Sequence, residues 1–505
     1  MSDLRKSAAA FLLLAAATVP AVAAAPAPDT PEIVELHSDA SPLVSIRLQF
    51  DAGSIYDPAG KEGLAALTGL MIAESGTQKR SYSDLLEALF PMAASIGLNT
   101  DREVTVIDGT VHRDQLDAYT ALLEEALLRP AFAESDFQRN KEQLLAYLTN
   151  ALRSGSDELL GLEALQDKIY AGHPYGHPPQ GTVESLQRLT LDDVKAFYKQ
   201  RYTRGGLMLG LAGGYPQGPK GYLDRLKKDL AALPAGQKGR LELPAPAAIS
   251  GRDLTVIDKE TASVGISFGM PLPINRSNPD YFPLMVANSY LGEHRTFYGK
   301  LMTELRGNRG LNYGDYSYIE YWYSPPRTDY PTPNVPRRQQ YFSVWIRPVV
   351  PTDAQFALRA ALYQVRKLHD EGMTKADFEA TRNLLINYSK LWAQSLDQRL
   401  GFLMDSKVYG MPPYIEEIEK RLKSMTVEQV NAAAKKYLDP SNLAVVIVTA
   451  KGQQLADTLK QDAPSPKTYN TQVAPAVLEA DKTIQSLKVQ PAKTEVVPVA
   501  QVFQK

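Results

Sequence analysis

Apolar positions alternate with polar ones in two short runs, "PLVSIRLQFDAGS" (42–54) and "ASVGISFGMPLP" (262–273), and the period of two predicts a strand in each. Elsewhere the apolar period lengthens to that of a helix. "DQLDAYTALLEEALL" (114–128) and "TDAQFALRAALYQVRKLHDEG" (352–372) are long amphipathic examples. Two further stretches repeat one another. "SLQRLTLDDVKAFYKQRYTRGGLMLGLAG" (185–213) parallels "RLKSMTVEQVNAAAKKYLDPSNLAVVIVTA" (421–450), pairing Thr190 with Thr426, Val194 with Val430 and Leu207 with Leu443 at one constant offset. Each copy reads as a Thr helix cap, an amphipathic helix, a turn and an apolar strand.

A repeat this long is a duplicated domain rather than a solenoid unit. Strands and helices interleave without regular βαβ spacing, which predicts an α+β fold, a sheet with packed helices, in each copy. The expected boundaries are 30–235 for the first domain, 236–251 for a Pro-, Gly- and Ala-rich linker and 252–462 for the second domain. Residues 463–505 are rich in Pro, Lys, Val and Gln and are expected to form a disordered tail. At the other end, Arg5 and Lys6 precede an apolar run and a small-residue cluster ending at Ala23 to Ala25. Residues 1–25 therefore read as a secretory signal peptide. The expected location is outside the cytoplasm, and periplasmic in a Gram-negative host.

Composition narrows the function. The 505 residues carry a net charge of -2 and no cysteine. Near-neutral charge disfavours nucleic acid, which needs a basic face. No stretch after residue 30 is long and apolar enough to span a bilayer, so no integral membrane contact is expected. Two histidines, His173 and His177, stand four apart in "GHPYGHPP", but prolines make this a loop and favour a structural turn over a metal site.

The order strand, "GSIYDPAGKEG" loop, helix "LAALTGLMIA" and "SGT" resembles the pitrilysin/insulinase-type zinc peptidases, the inverzincins. The resemblance spans nearly the whole chain after residue 30. It implies two homologous domains of the insulinase and mitochondrial-processing-peptidase type, forming a clam-like half chamber. In active members this helix carries H-x-x-E-H, with two zinc-binding His and a general-base Glu. Aligning the frame puts that motif on Ala66, Leu67, Thr68, Gly69 and Leu70. The third ligand, a Glu on a later helix, falls at Ala146 or Tyr147, with Glu142 a full turn early. Zinc needs at least three N, O or S ligands. No metal or other cofactor is expected in this chain, its degenerate positions being Ala66, Gly69, Leu70 and Tyr147.

In the second domain, "ELRGNRGLNY" resembles the family's R-G-L-x-Y signature. The resemblance implies that Arg309 holds a substrate carbonyl and Tyr313 donates to the oxyanion. On spacing alone, an Arg and a Tyr after a helix are more commonly a surface salt bridge and a core ring; the surrounding motif and the duplicated domain shift the reading toward function. His294, just before that helix, is a candidate for the cleft wall, and the aromatic run "NYGDYSYIEYWY" (312–323) suits either a peptide groove or strand packing. Because some family members divide the work between two chains, the expected role is a zinc-free subunit. It would lend Arg309 and Tyr313 in trans to a homologous zinc-bearing partner that cleaves peptides or unfolded polypeptide. The alternative is a proteolytically inactive pseudoenzyme that binds or scaffolds.

Overall fold

A computed structural model describes residues 30–236, 240–294, 296–322 and 330–505, so the signal peptide read at 1–25 lies outside the described residues. Two sheets organise the chain. The first contains β1 (Glu32–His37), β2 (Leu43–Phe50), β3 (Gly97–Thr100), β4 (Thr105–His112) and β5 (Leu207–Gly213), in the order β1-β5-β2-β4-β3. The second contains β6 (Arg252–Asp258), β7 (Val264–Leu272), β8 (Gly314–Tyr318), β9 (Gln340–Val349), β10 (Leu443–Thr449) and β11 (Pro491–Pro498), in the order β11-β6-β10-β7-β9-β8.

With β11 set aside, the two orders are the same, and so are the directions. β1 runs parallel to β5 as β6 does to β10, and the other neighbours are antiparallel in both sheets. Thr190 and Thr426, paired in the sequence, each close a capping box on the helix before β5 or β10. The fold is α+β, with two homologous domains.

Each sheet is covered on its second face by a helix of the other domain. Helix Asp157–Ile169 of the first domain packs on β7 and β10, and helix Leu396–Tyr409 of the second packs on β1 and β5. This explains the alternation in β2. Val44, Ile46, Leu48 and Phe50 enter the first core. Their neighbours Arg47 and Gln49 are also buried, but against the second domain. Arg47 donates to Asp397 through Nε (3.2 Å) and Nη2 (2.7 Å), and Gln49 accepts from Asn334 (3.0 Å). A polar position in this strand therefore marks a domain contact rather than solvent. Close approach also requires Gly210 in β5, where a Cβ would lie 2.4 Å from Met404 Sδ.

The expected disordered tail is corrected by the structure. Residues Pro475–Ile484 form a helix, and β11 pairs in parallel with β6. Its valines alternate between the two cores: Val496 packs against the second and Val497 against the first. Beyond it, Val502 and Phe503 are buried among first-domain residues. Arg153 Nε donates to Val502 O (2.7 Å), and the N–H groups of Val183 and Glu184 donate to the carbonyls of Phe503 (3.0 Å) and Gln504 (2.9 Å). The composition is that of a tail, but strand pairing uses backbone groups that Pro- and Lys-rich composition does not report.

Candidate functional site: the cleft between the domains

Helix Leu64–Ala73 begins at a turn organised by Asp57. One carboxylate oxygen accepts from Gly63 N (2.8 Å) and the other from Ala65 N (2.7 Å), meeting two donors that the helix itself leaves unpaired. Burial pushes the Asp57 carboxyl well above its usual range, against the pull of those two N–H groups. All ten residues of the helix are buried. It has no polar face, and it is held as core rather than as an amphipathic surface helix.

Ala66 and Leu70 border a cleft of about 600 Å³ between the domains, together with Tyr147. These three, with Gly69, occupy the positions that the resemblance assigns to the metal site, and only Tyr147 has a side-chain heteroatom. Gly69 faces β3 so closely that a Cβ would lie 3.0 Å from both Leu98 Cδ1 and Thr100 Oγ1. The donor set does not fit zinc, and a side chain at position 69 would crowd the side chains of Leu98 and Thr100 on β3. Among the described residues, no group of three or more His, Asp or Glu is placed to hold a metal ion.

The first-domain wall of the cleft is mixed: Leu70, Leu98, Leu144, Leu159 and Leu162 stand among polar and acidic residues that include Glu74, Glu158 and Glu163. The second-domain wall is aromatic. Trp322 stacks on His294 (centroids 5.0 Å, 29°), and Trp345 lies 4.2 Å from Tyr318. His294 Nδ1 and Tyr318 OH are hydrogen-bonded at 2.6 Å. Among the described residues, neither indole Nε1–H, both buried, has an acceptor. Two arginines nearby are paired across the domains, Arg347 with Glu158 and Arg337 bidentately with Asp101 (2.7 and 2.5 Å), above the Tyr321 ring, while Glu163 faces Arg102 within the first domain (3.5 Å).

His294 lies in the cleft wall. Arg309 and Tyr313 do not line it. Arg309 is 4% exposed. Its Nε donates to Asp481 (2.8 Å), and its Nη1 donates to the backbone carbonyl (2.7 Å) and carboxylate (2.8 Å) of Glu304. This corrects the expectation of a guanidinium free for substrate: Asp481 belongs to the ordered helix at Pro475–Ile484, where a disordered tail was expected. Tyr313 is 66% exposed, and the Arg306 guanidinium lies over its ring at 4.3 Å.

The two other histidines serve the turn. His173 Nδ1 accepts from Tyr175 N (3.0 Å), which leaves Nε2–H to donate to Pro244 O of the linker (3.0 Å). Burial and the Arg102 charge hold His177 down at about 4. It borders a second, larger cavity of about 1180 Å³, closed over by residues 501–505.

Sequence reasoning missed Trp345 and Arg347. A signal existed: β9 alternates, and Trp345 stands opposite Tyr316 in register, which puts it on the aromatic face of β8.

Residues 33–182 match the family model "Insulinase (Peptidase family M16)", and residues 188–385 match "Peptidase M16 inactive domain". Among curated proteins, the "Non-peptidase homolog YmxG" of Helicobacter pylori is 23% identical over 412 residues, 81% of this chain and 90% of that one. The human "Mitochondrial-processing peptidase subunit beta" is 23% identical over 255 residues, covering 50% of this chain and 51% of the relative. Among solved structures, a peptidase M16 inactive domain from Pseudomonas fluorescens superposes with a TM-score of 0.72 at 23% identity, over 84% of this chain and 96% of that one.

Proposed function

Since this chain belongs to the insulinase (M16) peptidase family, as an inactive type of member, we propose that it is a polypeptide-binding subunit. It pairs with a zinc-bearing homologue and performs no peptide hydrolysis itself. The observation that carries this reading is the loss of metal donors at the positions that the resemblance assigns to zinc. A buried apolar helix supplies three of those positions, Ala66, Gly69 and Leu70, and of the four only Tyr147 has a side-chain heteroatom. The metal, and with it activation of water, would belong to the partner.

Polypeptide is the ligand this cleft suits. β3 is the last strand of its sheet, and Leu98, Asn99 and Thr100 border the cleft. A terminal strand offers N–H and C=O groups to an extended chain, which adds by backbone pairing with little dependence on sequence.

Tyr313 favours a second reading, in which this subunit also assists chemistry in trans. Its phenol is exposed and available to a partner, and a donor aimed at developing oxyanion charge contributes about 3 kcal/mol in other sites. The engagement of Arg309 with Glu304 and Asp481 counts against a joint Arg–Tyr role. Reconstitution with the homologous zinc-bearing subunit separates the two. The first reading expects kcat of the pair to be unchanged by Tyr313→Phe. A fall of tenfold or more at unchanged KM would replace it with the second.

A further inference from the structure

We propose that the aromatic wall of the cleft is a side-chain pocket. It receives a large apolar or aromatic residue of an extended polypeptide, whose backbone carbonyl takes an indole N–H. This rests on the polypeptide-binding reading and adds to it a chemical preference.

Three observations carry it. The first is the pair of indoles. Trp322 and Trp345 are 8% and 6% exposed, both line the cleft, and neither Nε1–H has an acceptor among the described residues. An indole N–H is a donor only, so the missing group is an acceptor. A buried donor left unpaired is costly, and a ligand carbonyl would relieve that cost.

The second is the charge state of the walls. Arg347 and Arg337 are already paired with Glu158 and Asp101, so the guanidinium groups on this side are engaged. That favours a neutral acceptor such as a peptide carbonyl over a carboxylate or phosphate.

The third is shape. The aromatic residues share about 600 Å³, within the usual size of a small-ligand site, with Leu98, Leu144, Leu159 and Leu162, while Glu74 and Glu163 border the same space. Leu162 of the first domain already packs with Tyr316, Tyr318, Trp322 and Trp345, so the two walls are in register. Hydrogen bonding between His294 and Tyr318 fixes the rings behind the indoles.

Tryptophan fluorescence of the full chain provides the test, since two of its three tryptophans line the cleft. The probes are two capped heptapeptides that are identical except at the centre, Leu-Phe-Leu in one and Ser-Gly-Ser in the other. The expected result is an emission change with the apolar peptide and a Kd at least tenfold lower than for the control. Trp345→Phe and Trp322→Phe, which keep a ring and remove the N–H, should each weaken the apolar peptide about fivefold, as loss of one hydrogen bond does. Each variant's thermal unfolding is compared with the parent's. Equal binding of both peptides overturns the pocket and leaves backbone addition standing. Binding of neither overturns both.

Discussion

At position 69 a single hydrogen stands in for a side chain. The neighbouring Leu98 and Thr100 lie where a Cβ would make contact at 3.0 Å, so a side chain there requires theirs to give way by a few tenths of an ångström. Gly69→Glu should lower stability by about 1–3 kcal/mol through overpacking, measured by urea unfolding. The fourfold variant Ala66→His, Gly69→Glu, Leu70→His and Tyr147→Glu should still bind no stoichiometric zinc. One tightly held zinc per chain by metal analysis would show that donor loss alone, and not packing, had closed the site. The absence of donors was legible in the sequence, because no His or Glu occurs between Gly63 and Ala73. The closing of the space was not, because it depends on a strand some thirty positions further on. The same distance effect hid the fate of Arg309. Its motif is local, whereas its partner Asp481 is 172 residues away.

Among elements, the duplication was readable because both copies keep their capping threonines and the strands that follow. The alternation of β2 and β7 was also readable. Its meaning changed, since the polar face of β2 contacts the other domain. The terminal segment escaped recognition. β11 is an edge strand whose exposed Lys493 and Glu495 resemble tail composition, and its prolines lie at its two ends, where an edge strand tolerates them. Past it, Phe503 is 7% exposed in first-domain surroundings. Phe503→Ala should destabilise the protein by about 3 kcal/mol, the usual cost of emptying a buried aromatic site, and should speed amide exchange in helix Val183–Arg188. A change within about 0.5 kcal/mol, the range of ordinary surface substitutions, would mean that residues 502–504 rest on the first domain without supporting it.

Over the whole molecule the two domains share interior. Ile257, Tyr341, Ala444, Val446 and Val448 of the second domain belong to the first domain's apolar cluster. The buried Arg337–Asp101 pair joins them as well, with side chains 1% and 4% exposed. Removing one member of such a pair leaves an uncompensated charge. Asp101→Asn should therefore cost about 3 kcal/mol, whereas Asp101→Leu with Arg337→Met should recover most of it. A double-mutant cycle by urea unfolding reads the coupling, and a stable Asp101→Asn protein would show that the pair does not hold the domains together. Apolar surface shared in this way also predicts one cooperative transition for both domains.

The seating of Phe503 bears on how the protein is made. Arg153 meets its backbone partner at Val502 across 349 residues of chain. A ribosome delivers the first domain's strands and helices early, yet the plug for its outer helix arrives only after the second domain has been synthesised. Until then the nascent first domain carries an open apolar socket, and its maturation waits for residues 502–504 to be translated.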